Sequence, residues 1–219
     1  MKQKKDTKET YESQLSEEQL AVLSDINGLK NILVTGSAGT GKSFLLKAIR
    51  KQFADNRLRL AVCGSTGIAA VNVGGLTLHT WAGLGLGKND AEVMVEKIKL
   101  NKRAYENITQ INHLAIDEIS MIGGSLFQKI DKVFRMVRNR LEEPFGGIQL
   151  IMFGDFLQLP PVPDNASKQE PFAFETKAGS LQDWEVQFES GDWDMQWKRL
   201  EDGMSFIEGP NHTREYDWE

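Results

Sequence analysis

The chain has 219 residues, enough for one domain with a substantial core, or one domain plus an appendage, but short for two. With 26 Lys+Arg against 31 Asp+Glu the formal net charge is -5, which excludes a nucleic-acid surface spread over the whole chain. The charge is uneven, however: from Ser180 onward there are 11 acidic and 3 basic residues, leaving 23 basic against 20 acidic before it, a net of +3.

Residues 1–13 are charged, poor in apolar side chains and without period, and read as a flexible leader. Their lysines are not followed by an apolar core, and no later run approaches 18 apolar residues, so neither a secretory signal nor a membrane span is expected. Leu15 to Leu23 reads as a helix. Ser16 is its N-cap, Gln19 completes a capping box, and Leu20 with Leu23 makes the apolar face. A second role for Gln19 stays open, because its amide is donor and acceptor in one plane and suits an adenine edge.

Asn31 to Ser43 is an apolar run feeding a glycine-rich loop, G-x-x-x-x-G-K-S, with a strand pattern before it and a helix pattern after it. Glycine backbone lets successive N–H groups curl round a polyphosphate, and the N-terminal end of the following helix adds positive potential. Gly36, Ser37, Ala38, Gly39, Thr40 and Gly41 would form this cradle. Lys42 would reach the outer phosphates, and the Ser43 hydroxyl would hold Mg2+, which takes few protein oxygens beside waters and phosphate oxygens. The expected ligand is ATP or another nucleoside triphosphate.

Phe44 to Asp55 has helical spacing and Leu58 to Gly64 is the second strand. Cys63, the sole cysteine, sits in that apolar strand and reads as a buried core residue. It suits a reducing compartment: the cytoplasm, or the nucleus or mitochondrion of a eukaryote. Ser65 to Gly75 and Leu76 to Gly83 repeat the logic of strand, small-residue turn and short helix, so a second ligand is expected at the same sheet edge as the phosphate loop. Asp90 to Tyr105 reads as a solvated amphipathic helix containing Val93, Ile98 and Leu100. Ile108 to Ile116 is the third long strand, delivering Asp117 and Glu118 at its carboxyl end. Ser125 to Leu141 is a long helix with Leu126, Ile130, Val133, Phe134, Val137 and Leu141 on one face, and Ile148 to Phe153 is the next strand. The alternation implies an α/β fold, a doubly wound parallel sheet flanked by helices.

Downstream of a phosphate loop, an acidic pair ending a strand points to hydrolysis. Asp117 would sit in the inner or outer shell of the metal and Glu118 would polarise the attacking water. Gln158, after the next strand, is placed to reach the γ-phosphate by hydrogen bond.

Five stretches in order resemble the petite-integration-frequency family of superfamily-one DNA helicases. They are Leu15–Gln19, Gly36–Ser43, Ser65–Ala70 with Leu78–Gly83, Ile116–Met121, and Phe153–Pro161. The resemblance implies a RecA-like first motor domain over residues 14–177 that couples ATP hydrolysis to 5′-to-3′ movement on single-stranded DNA, in DNA repair, recombination or telomere maintenance. Carried over by position, Thr66, Gly67 and His79 look like DNA contacts, and Pro160 and Pro161 lie where nucleotide and strand are linked. Thr66 and the Gly67 amide suit phosphate oxygens, and His79 or Trp81 suits stacking on an unpaired base. Trp81 as a core aromatic and His79 as a satisfied polar residue are the competing readings.

After Lys177 the pattern departs from the family. Residues 178–219 are acidic and hold four of the five tryptophans, and too few residues follow for a second RecA-like domain. The expectation is a chain truncated to its first motor domain, which binds ATP, hydrolyses it weakly and does not unwind DNA. The arginine missing at the γ-phosphate would then come from a second motor lobe or a partner chain. The alternative is a nucleotide-gated binding protein that docks through its acidic tail.

Overall fold

A computed structural model describes residues 13–27, 31–36, 39–155, 161 and 172–173, together with the strand backbones 184–188, 196–200 and 203–207. Its centre is a six-stranded sheet in the order β3-β2-β4-β5-β1-β6, formed by β1 (Asn31–Thr35), β2 (Leu60–Gly64), β3 (Leu76–Thr77), β4 (His113–Asp117), β5 (Gln149–Gly154) and β6 (Trp184–Phe188). Every pairing in it is parallel. β6 lies inside the segment that reads in sequence as an acidic tail. Residues Gln196–Leu200 and Gly203–Ile207 form a separate antiparallel pair, β7 and β8.

Alternation along the central strands sends neighbouring side chains to opposite faces. Leu33, Leu114, Ile116, Leu150 and Met152 pack on one side with helices α4 (Leu78–Ala82), α5 (Ala91–Leu100), α6 (Lys102–Gln110) and α7 (Gly124–Arg138). Ile32, Val34, Ala115, Ile151 and Phe153 pack on the other with α1 (Glu17–Ile26) and α2 (Lys42–Asp55). Both faces are thus covered, which is why these strands read as unbroken apolar runs. The short α3 (Gly67–Asn72) follows β2 directly. A Cβ on Gly64 would stand 2.2 Å from the Ala70 backbone nitrogen, so only glycine lets α3 fold back so tightly on its strand.

Several sequence expectations need correction. The Asp90–Tyr105 element is two helices broken at Asn101, whose carbonyl side chain caps α6 by accepting from the Ala104 N–H at 3.2 Å. Its first half is amphipathic as expected, but the buried face is Ala91, Met94, Val95 and Ile98, while Val93 and Leu100 are exposed with the charged residues. Ile108 to Gln110 end α6, and β4 starts only at His113. Ala104 and Ile108, four residues apart, face the core as a helical pair that mimics the start of a strand. Helix α7 stops at Arg138, where Asn139 takes the left-handed conformation (φ 56°), and Leu141 beyond it is exposed. On α1 the inward face is Val22, Leu23 and Ile26, with Leu20 turned outward. Among the described residues no helix is long and apolar enough to cross a membrane.

Candidate nucleotide and nucleic-acid site

The carboxyl ends of the central strands form one edge. Thr35 pairs with Gly154, Ile116 with Met152, and Gly64 with Asp117, so these chain ends stand level. At about 4.8 Å per strand, the acidic pair after β4 lies roughly 10 Å from the end of β1 and the loop after β2 roughly 14 Å from it. The strand order therefore sets Asp117 and Glu118 between the phosphate loop and the loop carrying Thr66 and Gly67.

Within the phosphate loop Gly39 (φ 88°) and Gly41 (φ 94°) adopt left-handed backbone, and a Cβ at Gly39 would meet nothing within 4 Å. That geometry leaves room for a phosphate chain against bare backbone. Lys42 opens α2 and donates from Nζ to the Gly36 carbonyl at 2.5 Å, folding its ammonium over the loop. Thr40 is half-buried and Ser43 is exposed on the first turn of the same helix. Ser37 and Ala38 lie outside the described residues, as do Gln158 and Pro160; Pro161 is buried.

Asp117 is half-buried, and its carboxyl is pushed above the usual aspartate range, first by burial and second by the Glu118 charge. The Glu118 N–H and the Lys42 ammonium pull it partly back. Glu118 itself is held in left-handed backbone (φ 57°, ψ 47°), a conformation that costs a non-glycine residue about 1 kcal/mol or more. Strain and a disfavoured carboxylate charge thus coincide in one dipeptide. Two side chains that sequence reasoning missed flank this pair. The Ser65 and Ser120 hydroxyls are buried without a hydrogen-bond partner, and the Ser65 N–H donates to the Asp117 carbonyl at 3.0 Å. Orphaned hydroxyls, an open glycine cradle and a raised carboxylate together fit a bound cation with its phosphates and waters. Ser43 and Asp117 are the residues that would hold it. Both serines lie in stretches that carry the family resemblance, Ser65–Ala70 and Ile116–Met121, but nothing in the local sequence gives either hydroxyl a role of its own.

Gln19 forms the capping box as expected: its Oε1 accepts from the Ser16 N–H and its own N–H donates to Ser16 Oγ, both at 3.2 Å. The side chain is buried, so its amide plane is fixed. On the other side of the edge, Thr66 caps α3 by accepting from the Ala69 N–H at 3.2 Å, and Gly67 is exposed with open space where a side chain would be. His79, on α4, is half-buried, and burial lowers its pKa so that the imidazole is neutral at physiological pH. Trp81 is 8% exposed, packs edge-on against Phe134 at 6.3 Å and takes a hydrogen bond from Asn107 on its carbonyl. Its indole is a core group here, whereas His79 keeps part of its ring exposed.

A glycine cradle after β1 with an acidic pair after β4, two strands away in the same parallel sheet, defines a P-loop nucleotide-binding protein with a RecA-like fold. The profile of the PIF1-like helicases matches residues 14–189, and the chain belongs to that family. It is 47% identical over 149 residues to the ATP-dependent DNA helicase PIF1 of Emericella nidulans, which covers 66% of this chain and 20% of that protein. The crystal structure of Pif1 helicase from Candida albicans aligns over 81% of this chain and 40% of that one, with TM-score 0.75 and 43% identity. Bacteroides Pif1 bound to ssDNA aligns over 81% of this chain and 42% of that one, with TM-score 0.63 and 30% identity. Against its curated relatives the chain spans between 16% and 25% of their length.

Proposed function

We propose that this chain is the ATP-binding motor lobe of a PIF1-type DNA helicase, in which hydrolysis of ATP at the phosphate loop is coupled to single-stranded DNA held at Thr66, Gly67 and His79. The observation that carries the reading is the strand order, with Asp117 and Glu118 at the carboxyl end of β4, between the two loops. The naming of the relatives as ATP-dependent DNA helicases and the Bacteroides Pif1 complex with ssDNA support it.

In this reading the cradle from Gly36 to Gly41 binds the phosphates through backbone N–H groups, and Lys42 swings from the Gly36 carbonyl onto the outer phosphates. A bound Mg2+ would neutralise charge on the phosphates. Ser43 and Asp117 would hold that cation, whose charge would favour the Asp117 carboxylate, and Glu118, fixed by its left-handed backbone, orients water for in-line attack. Gln158 reports the state of the γ-phosphate to the strand. An arginine from a second motor lobe or partner chain would stabilise charge in the transition state. The direction of movement is 5′ to 3′, and the settings are DNA repair, recombination and telomere maintenance. A reducing compartment, cytoplasmic, nuclear or mitochondrial, suits the buried Cys63 thiol, whose pKa burial pushes up to about 12.

The testing experiment is calorimetric titration with ATP and Mg2+ of wild type, Lys42→Ala and Glu118→Gln. Binding by wild type and Glu118→Gln, and its loss in Lys42→Ala, is the expected result. Equal binding by wild type and Lys42→Ala would refute a nucleotide site at this loop.

A further inference from the structure

At the edge of the sheet opposite the phosphate loop, two polar residues open apolar strands. His113 begins β4, Gln149 begins β5, they pair in register, and they are 7% and 5% exposed. His113 Nδ1 lies 2.7 Å from Gln149 Oε1, and Gln149 Nε2 donates to the Ile26 carbonyl at 2.9 Å. Because the NH2 end of the amide faces a carbonyl, the end facing His113 is the oxygen, so Nδ1 carries the proton and donates. The Phe53 ring stands edge-on to the imidazole at 4.8 Å. Two successive donations thus run from β4 through β5 to the last residue of α1.

The Ile26 carbonyl is one of the helix-end carbonyls that has no partner within its own helix. The last turn of α1 holds no basic side chain and its C-cap, Asn27, is right-handed, so Gln149 supplies a partner that the helix does not. A second tie joins the same end to α2, where Gln52 Nε2 donates to Asn27 Oδ1 at 3.2 Å. Helix α2 starts at the phosphate loop and ends beside Asn27, so α1 runs the same way, from ligand edge to base. Its ten residues rise about 15 Å, close to the roughly 16 Å of a five-residue strand, which puts Gln19 in its first turn level with the phosphate loop. The non-directional packing of Val22, Leu23 and Ile26 on the sheet is joined at this end by a 2.9 Å hydrogen bond, whose geometry is directional and fixes the last turn of α1 relative to β5.

We propose that Gln149, backed by His113, is a positioning residue for the nucleotide base: by tying Ile26 to the base of the sheet it sets the axial position of α1 and so where the Gln19 amide meets the base. This deepens the nucleotide reading above and rests on it. A satisfied polar pair serving only the core would affect every ligand of the phosphate loop alike, so the discriminating readout compares ligands with and without a base.

The experiment measures ATP and inorganic triphosphate binding to the full chain carrying Gln149→Met, Gln149→Leu or Gln19→Ala, and the Gln149→Met/Gln19→Ala pair. Loss of one positioned hydrogen bond predicts about 3- to 10-fold weaker ATP binding in each single variant. Inorganic triphosphate binding should change less than about twofold, and Gln149→Met should add nothing once Gln19 is alanine. Parallel loss of ATP and triphosphate, or ATP binding like wild type in a folded Gln149 variant, would overturn the proposal. Should one Gln149 variant not fold, the other carries the test. A wild-type chain that binds triphosphate and ATP equally well also overturns it, whereas one that binds neither overturns the nucleotide reading itself.

Discussion

Two glycines three residues apart should respond oppositely to the same methyl group. At Gly64 the added Cβ would stand 2.2 Å from the Ala70 nitrogen, 2.6 Å from the Ala69 carbonyl carbon and 2.8 Å from the Ala70 Cα, all backbone atoms that cannot rotate away. Ordinary contact needs about 3.5 Å, so α3 must retreat by roughly 1 Å, disturbing the buried Ala69 and Ala70 that seat it. Overpacking of this kind costs about 1–3 kcal/mol, which for a chain of this size lowers Tm by about 2–12 °C. At Gly67 the Cβ meets nothing within 4 Å and φ is not positive. There alanine restricts the unfolded chain and should stabilise by up to about 1 kcal/mol. If DNA backbone approaches this open spot, Gly67→Ala nonetheless weakens single-stranded DNA binding. The assay is a thermal melt of Gly64→Ala and Gly67→Ala, with anisotropy of a labelled oligothymidine at fixed salt. Equal melting of Gly64→Ala and wild type would refute the packing argument, and wild-type oligonucleotide affinity in Gly67→Ala would refute the placement of the strand.

Asp117 has a folded-state pKa raised above the unfolded 3.8, so its ionised form opposes folding at neutral pH and that opposition fades as pH falls through the folded pKa towards 3.8. Asp117→Asn should therefore melt higher than wild type at pH 7, with the gap closing as pH falls towards 3.8, while Mg2+-dependent hydrolysis is lost; a lower melt at pH 7 would contradict the sign. His79 is neutral at pH 7.5, so His79→Asn should leave the salt dependence of single-stranded DNA binding unchanged, whereas losing one phosphate-paired cation would lower the log–log slope by about 0.7. Phe134→Ala empties a fully buried site against Trp81 and Phe145 and should cost about 3–5 kcal/mol by denaturant titration, without altering the phosphate loop.

What the sequence made legible was the part governed by backbone spacing. The run from Gly36 to Ser43 needs its glycines at fixed offsets, and Gly39 and Gly41 do take left-handed backbone. Asp117 is readable because an apolar strand must end where it meets water. Less legible were features decided by tertiary contact. Ile108 belongs equally well to a helix face or a strand until Ala104 is seen beside it, and Asn101 splits two helices through a cap that a polar residue in a charged run does not advertise. Trp81 carries the same letter whether it stacks on a base or on Phe134. A glutamine interrupting the apolar run from Ile148 to Phe153 was the one visible sign of the buried relay at Gln149, and its partner Ile26 is 123 residues away.

The most direct test of the central claim is steady-state ATP hydrolysis by this chain with and without a single-stranded oligonucleotide, beside Lys42→Ala. Hydrolysis should rise when the oligonucleotide is added and vanish in Lys42→Ala, because the acidic pair lies between the two loops. ATP binding with hydrolysis indifferent to DNA would contradict coupling across the sheet edge, and hydrolysis surviving in Lys42→Ala would contradict the site itself.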